Sequence, residues 1–468
     1  MDKFRIRSND KSGIIFDIGI AYTKIGFTGD NGPIRIIRTP SELFSEFKDK
    51  IPTLKNRKQP QDFIQAFEEG EKRLNESQIE GNNQLLLQKS ETQQIYEQET
   101  YVANSLQNFE NLNEKIDIFL NHLFYYELLQ KLSNKIIYIC KNHLIPHEFY
   151  DKLGAVLFNK YEITKIQFVL NNSLPLYITG QLSGLVVECG YYDTQITPIY
   201  EGFPLMNCLI TSKCGGYLIN KFLKNYLLKD NPNINFQNID FLQLEDIKFK
   251  YCKLLLKNQE DQYSINEEMI SKAKQTLIPT SLIASQIEQQ VQIEKSQKSQ
   301  QIQQQKIQLS YYTSTKSLSQ GLFGNVDSDE PNIAYSILQS LQKCNPSVAI
   351  KVSKNIVISG GVASTRGFYE RLRQEIVVQL DKNPQVQDVK YLKKHLSFTK
   401  VNYPPNTLPW IGASIVNQLN PNEKYCITIE KFRQNSSEIP DIFGNDYVYM
   451  LNQNTKDQEQ GNEADDII

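Results

Sequence analysis

Three places in this chain join a strand-like apolar run to an acid or hydroxyl and a glycine: Phe16-Asp17-Ile18-Gly19, Val187-Glu188-Cys189-Gly190 and Ile358-Ser359-Gly360-Gly361. A turn closing such a strand presents backbone N–H groups that can cradle phosphate, and its carboxylate can hold a hydrated Mg²⁺. Asp17 is the candidate metal residue, acting through water, with Gly19 and Lys24 beside the phosphate. Singly, each segment is also what an ordinary hairpin contains. Together, two facing hairpins around Gly19 and Gly190 could clamp a phosphate chain, and Gly360-Gly361 could let backbone approach a nucleoside closely.

The remaining reactive side chains carry less. Seven cysteines are scattered at positions 140, 189, 208, 214, 252, 344 and 426, with no CxxC pair, as expected of buried free thiols in a reducing compartment. His143 and His147 are spaced for a metal on a helix, but Pro146 between them favours a loop-to-helix transition.

The elements that must position these residues follow from periodicity. Ile14 to Gly19 with Tyr22 to Phe27, and Leu185 to Gly190 with Gln195 to Tyr200, read as two strand–turn–strand hairpins, an internal repeat. A helix over Ile116–Leu132, a buried strand over Lys135–Cys140 and a helix over Phe149–Phe158 give an α/β layer order. Later come a helix over Asn332–Lys343, a strand over Asn355–Ser359 and a helix over Phe368–Leu380. Two tracts interrupt the pattern, one rich in Gln, Asn and Glu from 54 to 112, the other Gln-rich from 257 to 319; both read as disordered or loosely helical insertions.

At 468 residues the chain is too long for one ordinary core. Its 51 basic and 53 acidic residues nearly cancel, which argues against direct nucleic-acid binding. No apolar run of about 18 residues and no secretory leader is visible, so a soluble protein is expected, neither secreted nor membrane-spanning.

Phe16 to Gly19, continued by Thr23 to Asp30, resembles the first phosphate loop of the actin family. Pro198 to Gly202 resembles the strand after the second loop, Ile358 to Gly361 with Gly367, Arg371, Leu372 and Glu375 the adenosine motif and its helix, and Trp410-Ile411-Gly412 the C-terminal motif. The resemblance implies the duplicated actin-like (ribonuclease H-like) α/β fold, two lobes around a nucleotide cleft. On that template, 12–53 is the hairpin unit of the first lobe, 54–112 replaces its outer small subdomain, and 113–180 completes it. The second lobe spans 181–256 and 320–405 around the 257–319 insertion; 406–452 returns to the first lobe, and 453–468 is a polar, acidic tail.

Departures from the family's pattern bear on chemistry. The resemblance places the water-positioning amide at Asn171, in place of glutamine, and the second metal-side carboxylate at Glu188, in place of aspartate. A displacement near 1 Å can cost about a hundredfold in rate. Tyr191 and Tyr192 stand where the second loop has an acidic residue and a glycine, and Lys248 is kept beside the base but is followed by Phe249. Thr365 and Asn406 replace an aromatic and a lysine near the adenine. The expectation is ATP or ADP with Mg²⁺ as a structural ligand held by Asp17, Gly19, Lys24, Gly190, Lys248, Gly360 and Gly361, without efficient hydrolysis. Asn171 and Glu188 are degenerate positions.

The stretch Glu188 to Cys208, with Glu245 to Lys248, Ser340 to Cys344 and Glu438 to Asp441, further resembles the actin-related subunits at the pointed end of dynactin. That implies a non-polymerising cap of the actin-related filament, cytoplasmic and cytoskeletal, supporting dynein-based microtubule transport. Its partners would be the filament and the other pointed-end subunits, bound through a face formed by the helix from Phe368 and the segment around Trp410. The alternative within the family is a subunit of a nuclear chromatin-remodelling complex. A sugar or acetate kinase fits less well, because the second-loop tyrosines obstruct a substrate cleft, and a polymerising actin would need the outer subdomain.

Overall fold

The computed structural model describes residues 13–47, 106, 111–231, 241–260, 276–278, 307–324, 331–419 and 426–440. Of the 54–112 tract, only residues 106, 111 and 112 are among them, and the acidic tail lies outside.

In the first lobe, β1 (Ile14–Ile18), β2 (Tyr22–Phe27) and β3 (Arg35–Arg38) form an antiparallel meander. Helix α1 (Leu112–Asn121), a π-helical turn (His122–Glu127), β4 (Ile136–Lys141), α2 (His147–Lys160) and β5 (Lys165–Leu170) follow. β1, β4 and β5 run parallel, giving the order β3-β2-β1-β4-β5. All five residues of β1 are buried, because both faces of the sheet are covered. Ile14, Phe16 and Ile18 enter one core with α1 and α2 residues such as Phe119 and Leu153, while Ile15 enters another with Trp410. That division is the two-residue period of a strand.

The short helix α3 (Leu174–Tyr177) leads to the second lobe. There β6 (Gly184–Cys189) and β7 (Thr194–Tyr200) form the second hairpin, extended by β8 (Phe203–Pro204) and β9 (Ile210–Ser212). Helices α4 (Gly216–Asp230) and α5 (Phe241–Tyr251), strands β10 (Thr276–Ile278) and β11 (Ile307–Leu309), and helices α6 (Tyr311–Phe323), α7 (Ile333–Gln342) and α8 (Pro346–Ser353) come next. Then β12 (Ile356–Ser359) lies parallel to β6. An isolated parallel bridge between Ile356 and Phe398 stands where β5 stands in the first lobe. The hairpin and its parallel neighbour are therefore built twice. After α9 (Phe368–Lys382), the chain returns through α10 (Leu408–Leu419), β13 (Cys426–Thr428) and α11 (Ile429–Gln434), with β13 antiparallel on the outer edge of β5.

Two elements differ from their sequence reading. The helix expected over Ile116–Leu132 leaves α geometry after Asn121, and the Leu128 amide bonds back to the Leu123 carbonyl. Residues 311–319, inside the Gln-rich tract, belong to the buried helix α6. Its hydroxyls turn inward without loss, because Ser314 and Ser317 donate to the Tyr311 and Thr313 carbonyls. Phe368 and Trp410, which mark the two segments expected to form a binding face, are themselves core residues, 1% and 0% exposed. The indole N–H of Trp410 donates to the Ile15 carbonyl at 3.4 Å.

Candidate functional site

Asp17 and Glu188 are next to last in β1 and β6, Ser359 ends β12, and Asn171 follows β5 directly. All are strands with a parallel neighbour, so the four residues gather where ligands of open α/β sheets bind, outside the carboxyl ends of the strands.

The first turn closes through Gly19 N–H to the Tyr22 carbonyl at 3.1 Å. A Cβ on Gly19 would sit 2.7 Å from that oxygen, so the turn needs glycine. Asp17 pairs across the hairpin with Lys24, whose Nζ donates to Asp17 Oδ2 at 2.7 Å. Both side chains are largely buried. Burial alone would lower the Lys24 pKa, but the charge and hydrogen bond of Asp17 outweigh it, and the ammonium is held above its ordinary range.

The second turn repeats the geometry, with Gly190 N–H to the Asp193 carbonyl at 2.8 Å and Glu188 paired with Gln195. Glu188 has no lysine opposite. Its Oε1 instead accepts from Asn171 Nδ2 of the first lobe at 2.6 Å. Burial first, and the Asp17 charge second, push the Glu188 carboxyl up to about 7. Two further bonds tie the lobes at 3.3 Å: Asn172 Nδ2 to Thr197 Oγ1 and Gln195 Nε2 to Asn142 Oδ1. Gln195 and Thr197 share a face of β7, which explains how one strand makes both.

This seam leaves Asn171 Oδ1, Asn172 Oδ1, Glu188 Oε2 and Gln195 Oε1 buried without a protein partner. All are oxygens that accept, a donor set suited to a hard cation or its bound waters. Among the described residues no three His, Cys, Asp or Glu form a metal cluster. A cation here would rest on two carboxylates supplemented by amide oxygens.

Gly360 has φ +97°, and a Cβ there would overlap the Cys189 carbonyl of β6. Nothing lies within 4 Å of a Cβ on Gly361, so that side of the third loop is open. Lys248 lies apart from the carboxylates, 3% exposed, bonded to Glu245 and to Asn220 Oδ1, the latter at 3.1 Å. Asn220 Nδ2 donates to Glu245 at 2.7 Å, closing the triad. His147, on α2 rather than at a metal, bonds the Ile439 carbonyl through Nε2 at 2.6 Å.

Residues 8–439 match the family model described as Actin. The chain belongs to the actin family. It is 25% identical to Actin-related protein 10 of Dictyostelium discoideum, over 91% of this chain and 86% of that protein. It is also similar to Putative actin-29 of the same organism, 22% identical over 70% of this chain and 76% of that one.

The actin fold family usually binds a nucleotide. The first turn fits the phosphate and cation half of one, with Asp17, Lys24 and the orphaned acceptors around Glu188. When bound, a divalent cation would neutralise phosphate charge there, and this chain's residues would hold and orient it. The second turn fits the nucleoside half poorly, since Tyr191 packs beside Lys248 and that amine is already paired within the protein.

Gln195, Asn172 and Asn142 were not singled out from the sequence. The repeat held a signal for Gln195, which stands seven residues after Glu188 as Lys24 does after Asp17. Asn142 and Asn172 carry none, because the lobe that faces them lies up to 53 residues away.

Proposed function

We propose that this actin-family chain is a cap for the pointed end of the actin-related filament of dynactin, and through it a participant in dynein-based transport along microtubules in the cytoplasm. The observation that carries the reading is an exposed apolar trio. Tyr177, Leu182 and Phe203 are 41%, 67% and 54% exposed, and the Gly202 amide donates to the Leu182 carbonyl at 2.7 Å, which brings two of them together. This surface stands where α3 passes into the second lobe, backed by α10 through Gly412, whose missing side chain lets Leu174 approach. Resemblance to actins supplies the occupant, the outer-subdomain loop of the terminal filament subunit. A protomer that engages a filament through one face ends it, because head-to-tail growth needs two.

Similarity to Actin-related protein 10 over most of both chains supports this assembly over others of the family. The turnover machinery supports it as well. Asn171 spends its amide N–H on Glu188, and that bond holds its shorter arm against the second lobe, so whatever the cleft holds serves as a structural ligand.

The test is affinity purification of the full-length tagged chain beside the variant Leu182→Ser/Phe203→Ser. Dynactin subunits should accompany the wild type, and the variant should lose them by about tenfold or more at unchanged thermal stability. Recovery of remodelling subunits instead, or filaments formed by the chain alone under polymerising salt, would overturn the reading.

A further inference from the structure

We propose that Tyr191 is a built-in occupant of the nucleoside side of the cleft, so that the chain takes a hydrated divalent cation with a small diphosphate-like anion in place of a whole nucleotide. The inference rests on family membership and the site's geometry, and stands or falls separately from the capping role.

The tip of the first turn is Ile20-Ala21; the corresponding tip of the second is Tyr191-Tyr192. The second tip is fastened to the start of α4, where Gly216 N–H donates to the Gly190 carbonyl at 3.1 Å and Tyr217 N–H to the Tyr191 carbonyl at 2.7 Å. Two consecutive glycines make the seat. A Cβ on Gly215 would lie 2.5 Å from the Tyr191 carbonyl oxygen, and one on Gly216 would lie 3.0 Å from Tyr191 Cδ2. Larger residues at either position would unseat the tyrosine.

The same point on Gly216 is 3.5 Å from Lys248 Nζ, so the phenol edge and the amine share one small space. Tyr191 in turn meets Tyr192 and Tyr217 edge-on, with ring centroids 4.9 and 6.0 Å away. Beneath it Lys248, Glu245 and Asn220 satisfy one another, all under 9% exposed. A ribose or base entering here would have to displace a packed aromatic ring and open a closed ionic triad.

The phosphate half is different. Its orphaned acceptors call for positive charge, and Lys24 is the amine facing Asp17 and Glu188. A cation could satisfy the acceptors and bring a small phosphate anion against the first turn. A free anion could not, because the orphaned atoms accept rather than donate and the Lys24 amine is already paired with Asp17.

Full-length protein, purified without added nucleotide, should be titrated with MgCl₂, Mg-pyrophosphate, Mg-ATP and adenosine, with thermal shift and calorimetry as readouts. The wild type should bind Mg-pyrophosphate and Mg-ATP with affinities within about threefold, and should not respond to adenosine. Tyr191→Gly should open the nucleoside side and favour Mg-ATP by about tenfold or more, while Tyr191→Phe should match the wild type. Stoichiometric adenine nucleotide in the purified wild type, a wild-type preference for Mg-ATP above tenfold, failure to bind pyrophosphate, or an unchanged preference in Tyr191→Gly would each overturn the proposal. Should Tyr191→Gly not fold, the wild-type comparison of pyrophosphate with ATP decides alone.

Discussion

The two hairpins share register and turn closure but differ in where their carboxylates find a partner. Asp17 is answered inside its own hairpin by Lys24, whereas Glu188 faces Gln195 and reaches across to Asn171 of the other lobe. The first turn finds its counter-charge within itself; the second draws its hydrogen-bond partner from the other lobe. Duplication preserved the backbone, and side-chain changes reassigned one copy from local balance to holding the lobes together.

The largest effect expected from breaking this contrast is Lys24→Met. It strands a buried carboxylate, and equilibrium urea unfolding should show a loss of about 3–5 kcal/mol. Next, Gly360→Ala should cost about 3 kcal/mol in the same assay, because it forces a side chain onto a positive φ and against the β6 backbone. The third effect is pH dependence in cation-free buffer. The folded Glu188 carboxyl keeps its proton up to about 7, against 4.5 for its ordinary value. Between those values the folded chain binds more protons than the unfolded one, so its stability should fall by about 3 kcal/mol as pH rises, and Glu188→Gln should flatten that slope. The smallest is Gln195→Leu, which removes one neutral bond to Asn142 and should cost about 1 kcal/mol. A loss as large as that of Lys24→Met would mean that the second hairpin is balanced like the first.

Much of the frame was legible in the sequence. Apolar runs ending in an acid or hydroxyl and glycine marked β1, β6 and β12, and the repeat of that pattern marked the duplication. Pro146 placed the start of α2 correctly, since it precedes the first helical turn. The cross-lobe seam was not legible, because spacing along one strand says nothing about which strand faces it. Helix α6 was hidden for a compositional reason: apart from Leu318 and Leu322 its buried residues are Ser, Thr and Gly, which allow the close approach of Gly321 to Ile219. Lys248 was placed beside the base by resemblance, and only side-chain packing places Tyr191 against it.

The C-terminal return through α10 and β13 also sets an order of assembly. The Ile15 carbonyl waits for the indole of Trp410, 395 residues downstream, and β5 waits for β13 to cover its edge. On the ribosome the second lobe's hairpin and helices emerge before the first lobe can close, so the lobe begun first is finished last. Until then β5 is an open strand edge, the part of the nascent chain in most need of a chaperone.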